Sequence, residues 1–301
     1  MRILITGGSG FIGTHLIKKL SNDGHDIYNL DKISSPALPS DKQKIIDILD
    51  IDVNDIFFDN IDTIIHFAAQ SHVQNSFDDA LKYTYDNIVG THTLLESCRK
   101  YGKITKFIHI STDEVYGESL LSADEEKKNE QSILCPTNPY AATKAGAELI
   151  ANSYRYSFKM PIIITRGNNV YGPNQYPEKL IPRFIEQLQE GKKVTIQGDG
   201  SNVRAFLHVL DVAKALELIL EKGSIGEIYN IGSVEDKEYT VLEIAHKLIS
   251  LIKNTDKYDD YIEYIEDRPF NDKRYYISNE KVRKLGWTIE EDFDKGLKDL
   301  L

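Results

Sequence analysis

What this chain has little of narrows its class. No stretch of its 301 residues is long and apolar enough to cross a bilayer, which takes about 20 consecutive apolar residues. A soluble protein with no membrane partner is expected. Positive charge is scarce: 36 Lys and Arg against 47 Asp and Glu leave a net charge of -11. Nucleic-acid and membrane surfaces are met by clustered cations, so no nucleic-acid partner is expected either. An anionic ligand would need local cations, and Lys179, Arg183, Arg204, Arg268 and Arg274 in the second half are the candidates. Cysteine is limited to Cys98 and Cys135, whose spacing fits neither metal ligation nor redox pairing, so the reading is two reduced thiols and no metal. Arg2 runs directly into Ile3-Leu4-Ile5, leaving no room for a basic and then apolar leader, so a cytoplasmic location is expected. There is no internal repeat.

What is present has a globular balance, 41% hydrophobic and 28% charged residues. A chain of this length buries a sizeable core and usually divides into two lobes. Short apolar or β-branched runs at 2–6, 26–31, 62–67, 105–111 and 161–166 read as strands. Helix-length stretches at 11–22, 77–101 and 138–158 separate most of them. Alternating strands and helices imply an α/β fold, a Rossmann-type doubly wound parallel sheet. The second half has helical periodicity at 178–190, 209–222 and 240–253, with short strands near 193–197 and 226–231, which reads as a smaller α/β lobe. Residues 1–166 are expected to form a dinucleotide-binding domain to which the chain returns around 205–232, and 167–301 mainly a substrate lobe. The charged run 122–132 reads as a solvated loop.

Gly7-Gly8-Ser9-Gly10-Phe11-Ile12-Gly13 follows the first strand and opens the first helix. Gly7, Gly10 and Gly13 suit a tight turn that lets backbone amides reach a pyrophosphate at the helix N-terminus. Asp31 closes the second strand eighteen residues after Gly13, where a carboxylate accepts from ribose hydroxyls and repels the extra phosphate of NADP. NAD is therefore the expected cofactor, although Lys32 is a cation that would partly offset such a phosphate. Asp47 and Ile48 read either as lining for the adenine pocket or as a surface Asp beside a core Ile.

Asn138-Pro139-Tyr140-Ala141-Ala142-Thr143-Lys144 carries an N-cap and a first-turn proline. Tyr140 and Lys144 share one helix face. An ammonium nearby favours the phenolate, which would let Tyr140 take a proton from a sugar alcohol. With the glycine turn, and with Ser111-Thr112 at a strand end, this pair resembles the extended short-chain dehydrogenase/reductase family, whose members oxidise a sugar hydroxyl. In that family Lys144 would also bond the nicotinamide ribose. His66-Phe67-Ala68-Ala69-Gln70-Ser71-His72-Val73 resembles the family's segment beneath the nicotinamide, which adds Ala68 to the cofactor set, and Asn87 resembles its structural asparagine.

Two adjacent carboxyls follow Thr112. Oxidising C4 of glucose acidifies the hydrogen at C5, so water can leave if one carboxylate takes that proton and one carboxylic acid protonates the C6 hydroxyl. Thr112-Asp113-Glu114 is similar to the string of nucleotide-glucose 4,6-dehydratases. That likeness implies Glu114 as the C5 base, Asp113 as the C6 acid and Thr112 as a partner of the sugar O4, with hydride returned to C6. By the same likeness, 4-epimerases on this scaffold lack the paired acids, and decarboxylases and GDP-mannose dehydratases usually carry Ser in the middle position, so Asp113 is the discriminating residue. A non-catalytic NAD-sensing protein is the rival of another class, and such proteins tend to lose the Tyr/Lys pair.

In the second half, Arg166–Gln175, Pro177–Pro182, Gly198–Arg204 and Asp267–Tyr275 look like the dehydratase domain of plant UDP-rhamnose synthases. The likeness implies Asn169 at the diphosphate, Lys179 and Leu180 at the base or phosphates, and Arg204, Asn230, Arg268 and Asn271 around the nucleotide. It favours UDP-glucose over dTDP-glucose. It also implies a homodimer through the helices at 77–101 and 138–158, and a separate epimerase/reductase protein to complete rhamnose, because the sequence stops near Leu301.

Overall fold

The computed structural model describes residues 1–52, 59–122, 124–233 and 237–301. The first half runs β1 (Arg2–Thr6), α1 (Phe11–Asn22), β2 (Asp26–Asp31), β3 (Gln43–Ile45), β4 (Thr63–His66), α2 (Val73–Asp78), α3 (Ala80–Tyr83), α4 (Gly90–Tyr101), β5 (Lys106–Thr112), α5 (Pro139–Phe158) and β6 (Ile162–Gly167). The second half runs β7 (Asn169–Tyr171), α6 (Leu180–Gln189), β8 (Val194–Gln197), β9 (Val203–His208), α7 (Val209–Lys222), β10 (Ile228–Ile231), β11 (Glu238–Thr240), α8 (Val241–Lys253), β12 (Ile262–Ile265), α9 (Glu280–Lys284) and α10 (Phe293–Lys298).

Among the described residues seven strands form one parallel sheet in the order β10, β6, β5, β4, β1, β2, β3. Both faces of the central strands are buried, which is why they read as unbroken apolar runs. Ile3 and Ile5 pack with Leu16, Leu20, Leu216 and Ile219 of α1 and α7, whereas Leu4 packs on the opposite side with Leu94, Leu95 and Ala151 of α4 and α5. Each such fully buried aliphatic side chain contributes about 1.5–3 kcal/mol. From β1 the chain goes first to β2 on one side and later to β4 on the other. That reversal opens a crevice at the carboxyl ends of the strands, where doubly wound folds bind ligands.

A second layer gathers β7, β9 and β11 in one small sheet and β8 with β12 in another. Ile181, Phe184, Leu188, Val194, Ile196, Ile244, Leu248 and Phe293 form its core. The chain returns to the large sheet through α7, packed on α1, and through β10, paired with β6. The stretch from 205 to 208 is not part of that return, because it pairs within the small sheet. Among the described residues no helix is long and apolar enough to cross a membrane.

Three details differ from the expectation. Residues 77–101 are not one helix: Asp79 leaves helical geometry at φ -142° and caps Lys82, and a π-helical turn spans Thr84–Val89. That turn carries Asn87 into the interior, where its amide bonds both backbone groups of Gln70 and the Thr143 hydroxyl. The charged run near 122–132 is more than a solvated loop. Its Lys128 carbonyl and Glu130 carboxylate accept from the side chain and backbone of Asn230, covering β10, an edge strand whose backbone needs partners. Finally, β3 is only three residues long, too short to register as a periodic run.

Candidate active site

At the carboxyl edge of the sheet lies a cleft of about 390 Å³ that runs from the glycine turn to the buried acids. Gly7 sits at φ +71°, and a Cβ there would lie 2.6 Å from the backbone nitrogen of Ala68. At Gly13 a Cβ would lie 2.7 Å from the Gly7 carbonyl. Only glycine allows this approach. Gly10 caps α1 without a side-chain bond, so first-turn amides remain for an anion. Gly7, Gly10, Phe11, Ile12, Gly13, Asp31, Ile48 and Ala68 all line the cleft. Asp31 accepts from the Ser9 amide at 2.9 Å and the Lys32 amide at 2.7 Å. Lys32 is committed elsewhere, its Nζ 2.7 Å from Asp47. Asp47 therefore stands just outside the cleft wall, paired with Lys32 and bonded to the Leu49 amide, while Ile48 supplies the apolar lining.

Asn138 and Pro139 start α5 as the sequence implies, with Asn138 Oδ1 accepting from the Ala141 amide at 2.8 Å. One helical turn apart, Tyr140 and Lys144 both line the cleft. Lys144 donates to the Ile110 carbonyl at 2.7 Å, and burial pushes it down to about 8. Tyr140 departs from the simple ammonium argument. Burial and then the Glu114 charge push its phenol upward, so the lysine alone does not produce a phenolate.

The two carboxyls occupy the short helical turn after β5, a position fixed by the Thr112 hydroxyl accepting from the Glu114 amide. Asp113 is 2% exposed and accepts from Asn168 Nδ2 at 2.6 Å and Thr112 Oγ1 at 3.2 Å. Burial first, and the Glu114 charge second, raise it to about 7. Glu114 is also raised, chiefly by desolvation, while the Asn138 hydrogen bond and the charge of Arg204 oppose the shift. Both neighbouring acids are thus pushed upward, Asp113 as far as about 7, so one of them can hold a proton near neutrality, as an acid and base sharing one site requires.

Cations gather beside this end. Lys179 lines the cleft with Asn169 and donates to the Ser71 carbonyl at 2.7 Å. Arg204 bonds Asn271 Oδ1 at 3.2 Å and lies 4.8 Å over the Tyr275 ring. Arg268 bonds Gln197 at 2.9 Å, and burial followed by repulsion from Arg204 lowers it. Forked guanidinium groups held this way suit a diphosphate.

Two residues of the substrate set are placed otherwise. Asn230 is fully buried in β10, its Oδ1 accepting from the Tyr116 hydroxyl and its Nδ2 donating to the Lys128 carbonyl, so it sits within the sheet edge and not among the residues that line the cleft. Leu180 begins α6 and packs on the core of the small lobe instead of the cleft wall. Arg274 is ion-paired with Glu238, a structural role. The sequence reading also missed partners of the acids. Asn168 stood inside the quoted Arg166–Gln175 string. Asn138 caps α5 with one amide atom and donates to Glu114 at 3.0 Å with the other. Tyr275 closes the Asp267–Tyr275 string, and its hydroxyl lies 3.3 Å from Glu114.

Bringing a glycine turn into one cleft with Tyr140 and Lys144 is what extended short-chain dehydrogenases and reductases do, and the fold and site are of that class. Within it, the chain belongs to the GDP-mannose 4,6 dehydratase family, whose profile matches residues 4–300. A trifunctional UDP-glucose 4,6-dehydratase/UDP-4-keto-6-deoxy-D-glucose 3,5-epimerase/UDP-4-keto-L-rhamnose-reductase of Arabidopsis thaliana is 46% identical over 98% of this chain and 46% of that protein. The dTDP-D-glucose 4,6-dehydratase of Homo sapiens is 44% identical over 99% of this chain and 88% of its own. Among solved structures, a dTDP-glucose 4,6-dehydratase from Streptomyces venezuelae with NAD bound has a TM-score of 0.90 at 34% identity, covering 100% of this chain and 95% of that one. The chain spans about half the length of the Arabidopsis relatives it matches.

Proposed function

We propose that this chain removes water from a nucleotide-activated glucose as an NAD-dependent 4,6-dehydratase, and that the nucleotide is UDP. The observation that carries the reading is the pair of acids: Asp113, raised to about 7, beside Glu114 in the cleft that also holds Tyr140.

The residues of the glycine end fit NAD. A cradle with no room for a Cβ suits a pyrophosphate, and the Asp31 carboxylate in the cleft wall suits ribose hydroxyls and repels the extra phosphate of NADP, while the neighbouring Lys32 pairs with Asp47. When bound, NAD supplies a hydride acceptor for C4, a hydride donor for C6 and a positively charged ring. Tyr140 takes the proton of the sugar O4 hydroxyl, Lys144 holds a positive charge one turn away, and Thr112 bonds O4. Glu114 removes the C5 proton. Asp113, protonated below about 7, delivers its proton to the C6 oxygen, which departs as water. Asn168 and Asn138 hold the two carboxyls in place.

The UDP preference is supported by the motif likeness alone, since the Arabidopsis protein and the human dTDP-glucose enzyme match at similar identity, 46% and 44%. Uracil and thymine differ by one methyl, about 1–3 kcal/mol of discrimination. A competition between UDP-glucose and dTDP-glucose tests it, read by mass spectrometry as loss of one water without added reductant. An unchanged mass with UDP-galactose formed would replace the dehydratase reading by 4-epimerisation. We assign the later epimerase and reductase steps toward a rhamnose-type sugar to residues outside this sequence. The proposed assembly is a homodimer through α4 and α5, where Leu149, Tyr156 and Phe158 are exposed on α5. Light scattering at monomer mass would remove it.

A further inference from the structure

Glu114 is not the last member of its hydrogen-bond chain. Its Oε2 lies 3.3 Å from the phenol oxygen of Tyr275, and that oxygen lies 2.6 Å from Oδ2 of Asp272. Thr137 Oγ1 donates to the other Asp272 oxygen at 2.6 Å. Asp272 is 2% exposed and Tyr275 6%. Their loop is pinned: Asn202 Nδ2 donates to the carbonyls of Asn271 and Asp272, and the Val203 amide donates to Lys273. A buried carboxyl and a half-buried one therefore share one phenol.

A phenol has a single proton to donate. The contact to Asp272 has the length of a charge-assisted O–H···O⁻ bond, so the proton points there and a phenol lone pair faces Glu114. An ionised Glu114 meets a lone pair and, behind it, the Asp272 charge. A protonated Glu114 meets an acceptor.

We propose that Asp272, acting through Tyr275, is a positioning residue that makes Glu114 the stronger base for the C5 proton and then holds the protonated acid in place while the C6 oxygen leaves. The inference rests on the reading of Glu114 as that base. In the step it serves, the C5–H bond breaks and the proton passes to Glu114. The electron pair forms the second C5–C6 bond. The C6–O bond breaks onto an oxygen that takes the Asp113 proton and leaves as water. Asp272 and Tyr275 exchange no atoms with the sugar.

Other groups act on Glu114 from every side. Arg204, Lys179 and Arg268 favour its charged form, as does the Asn138 amide. Desolvation and Asp272 oppose it, and the neighbouring Asp113 and Tyr140 are themselves raised by the Glu114 charge. Removing Asp272 shifts this balance in one direction. With Asp272→Asn the phenol proton is free to turn to Glu114 and stabilise the carboxylate, so the base weakens.

The test uses the full chain loaded with NAD and supplied with UDP-glucose, or with dTDP-glucose if that is the one turned over. For Asp272→Asn, kcat is expected to fall about ten-fold with KM nearly unchanged, and its acid limb to move down by about one pH unit. Reduced nicotinamide should accumulate in single turnover, because oxidation at C4 still proceeds. Tyr275→Phe removes the acceptor but leaves the Asp272 charge, so a smaller change in the same direction is expected, and it decides the matter if Asp272→Asn does not fold. A loss confined to KM, or a slower C4 oxidation with an unmoved acid limb, would overturn the proposal in favour of a structural role. Glu114→Gln separates the layers. If it makes product normally, the base assignment falls and this inference with it. If it stalls while both other variants leave the limb unmoved, only the inference falls.

Discussion

The two ends of the cleft are made of different material. At the glycine end the backbone forms the site: a turn at φ +71°, a close approach to Ala68, and the first amides of α1, with Asp31 the main charged contributor. At the acid end side chains form it, drawn from the turn after β5, the start of α5, the segment after β6 and the loop before α9. Backbone sites change little with pH. The acid end concentrates charge in a poorly hydrated place, so its groups leave their ordinary titration ranges. On the proposed function, the first end is the one that binds and the second the one that reacts.

Variants can break that comparison. Tyr140→Phe stands between the ends and is expected to have the largest effect, about a thousand-fold loss of kcat with NAD affinity by calorimetry nearly intact. Glu114→Gln should lower product formation about a hundred-fold while reduced nicotinamide still forms and persists in a stopped-flow trace. An ordinary product yield there would dissolve the acid end as a reactive site. Gly7→Ala, at a left-handed backbone position facing Ala68, is expected to destabilise the fold by about 1–2 kcal/mol and to weaken NAD binding about ten-fold, with sugar-nucleotide affinity largely kept. Equal loss of both ligands would show that the ends are not separable.

In stability, Asp113→Asn gives the smallest and most diagnostic change. The folded chain keeps a proton on Asp113 up to about 7, whereas an unfolded aspartate releases it at about 3.9. Between those values the folded state binds more protons, so wild-type stability declines as pH rises through that window. The amide has no such slope. Melting curves should show the variant more stable than wild type at about pH 8, by on the order of 1 kcal/mol, with the gain vanishing near pH 4, while elimination is lost. A variant less stable at both values would remove the buried-acid account.

Legibility follows the same division. The strand runs at 2–6 and 26–31 and the helices at 11–22 and 209–222 could be read directly, because burial on both faces or on one stripe leaves a periodic trace. The broken stretch 77–101 could not. Its apolar residues continue through Asp79 and the π-helical turn, and the break comes from Asn87 reaching Gln70 and Thr143 across the fold.

By itself, the sequence determined the glycine turn, the Tyr140/Lys144 face and the adjacency of Asp113 and Glu114, since each depends on neighbours within one turn of the chain. Only the tertiary structure decided what those groups are chemically. Asp113 reaches about 7 because the fold dries it next to the Glu114 charge, Tyr140 is raised instead of lowered, and Asn230 is buried at the edge of the sheet. Desolvation and long-range charge act through space, between residues as far apart in sequence as Glu114 and Tyr275, and no local pattern records them.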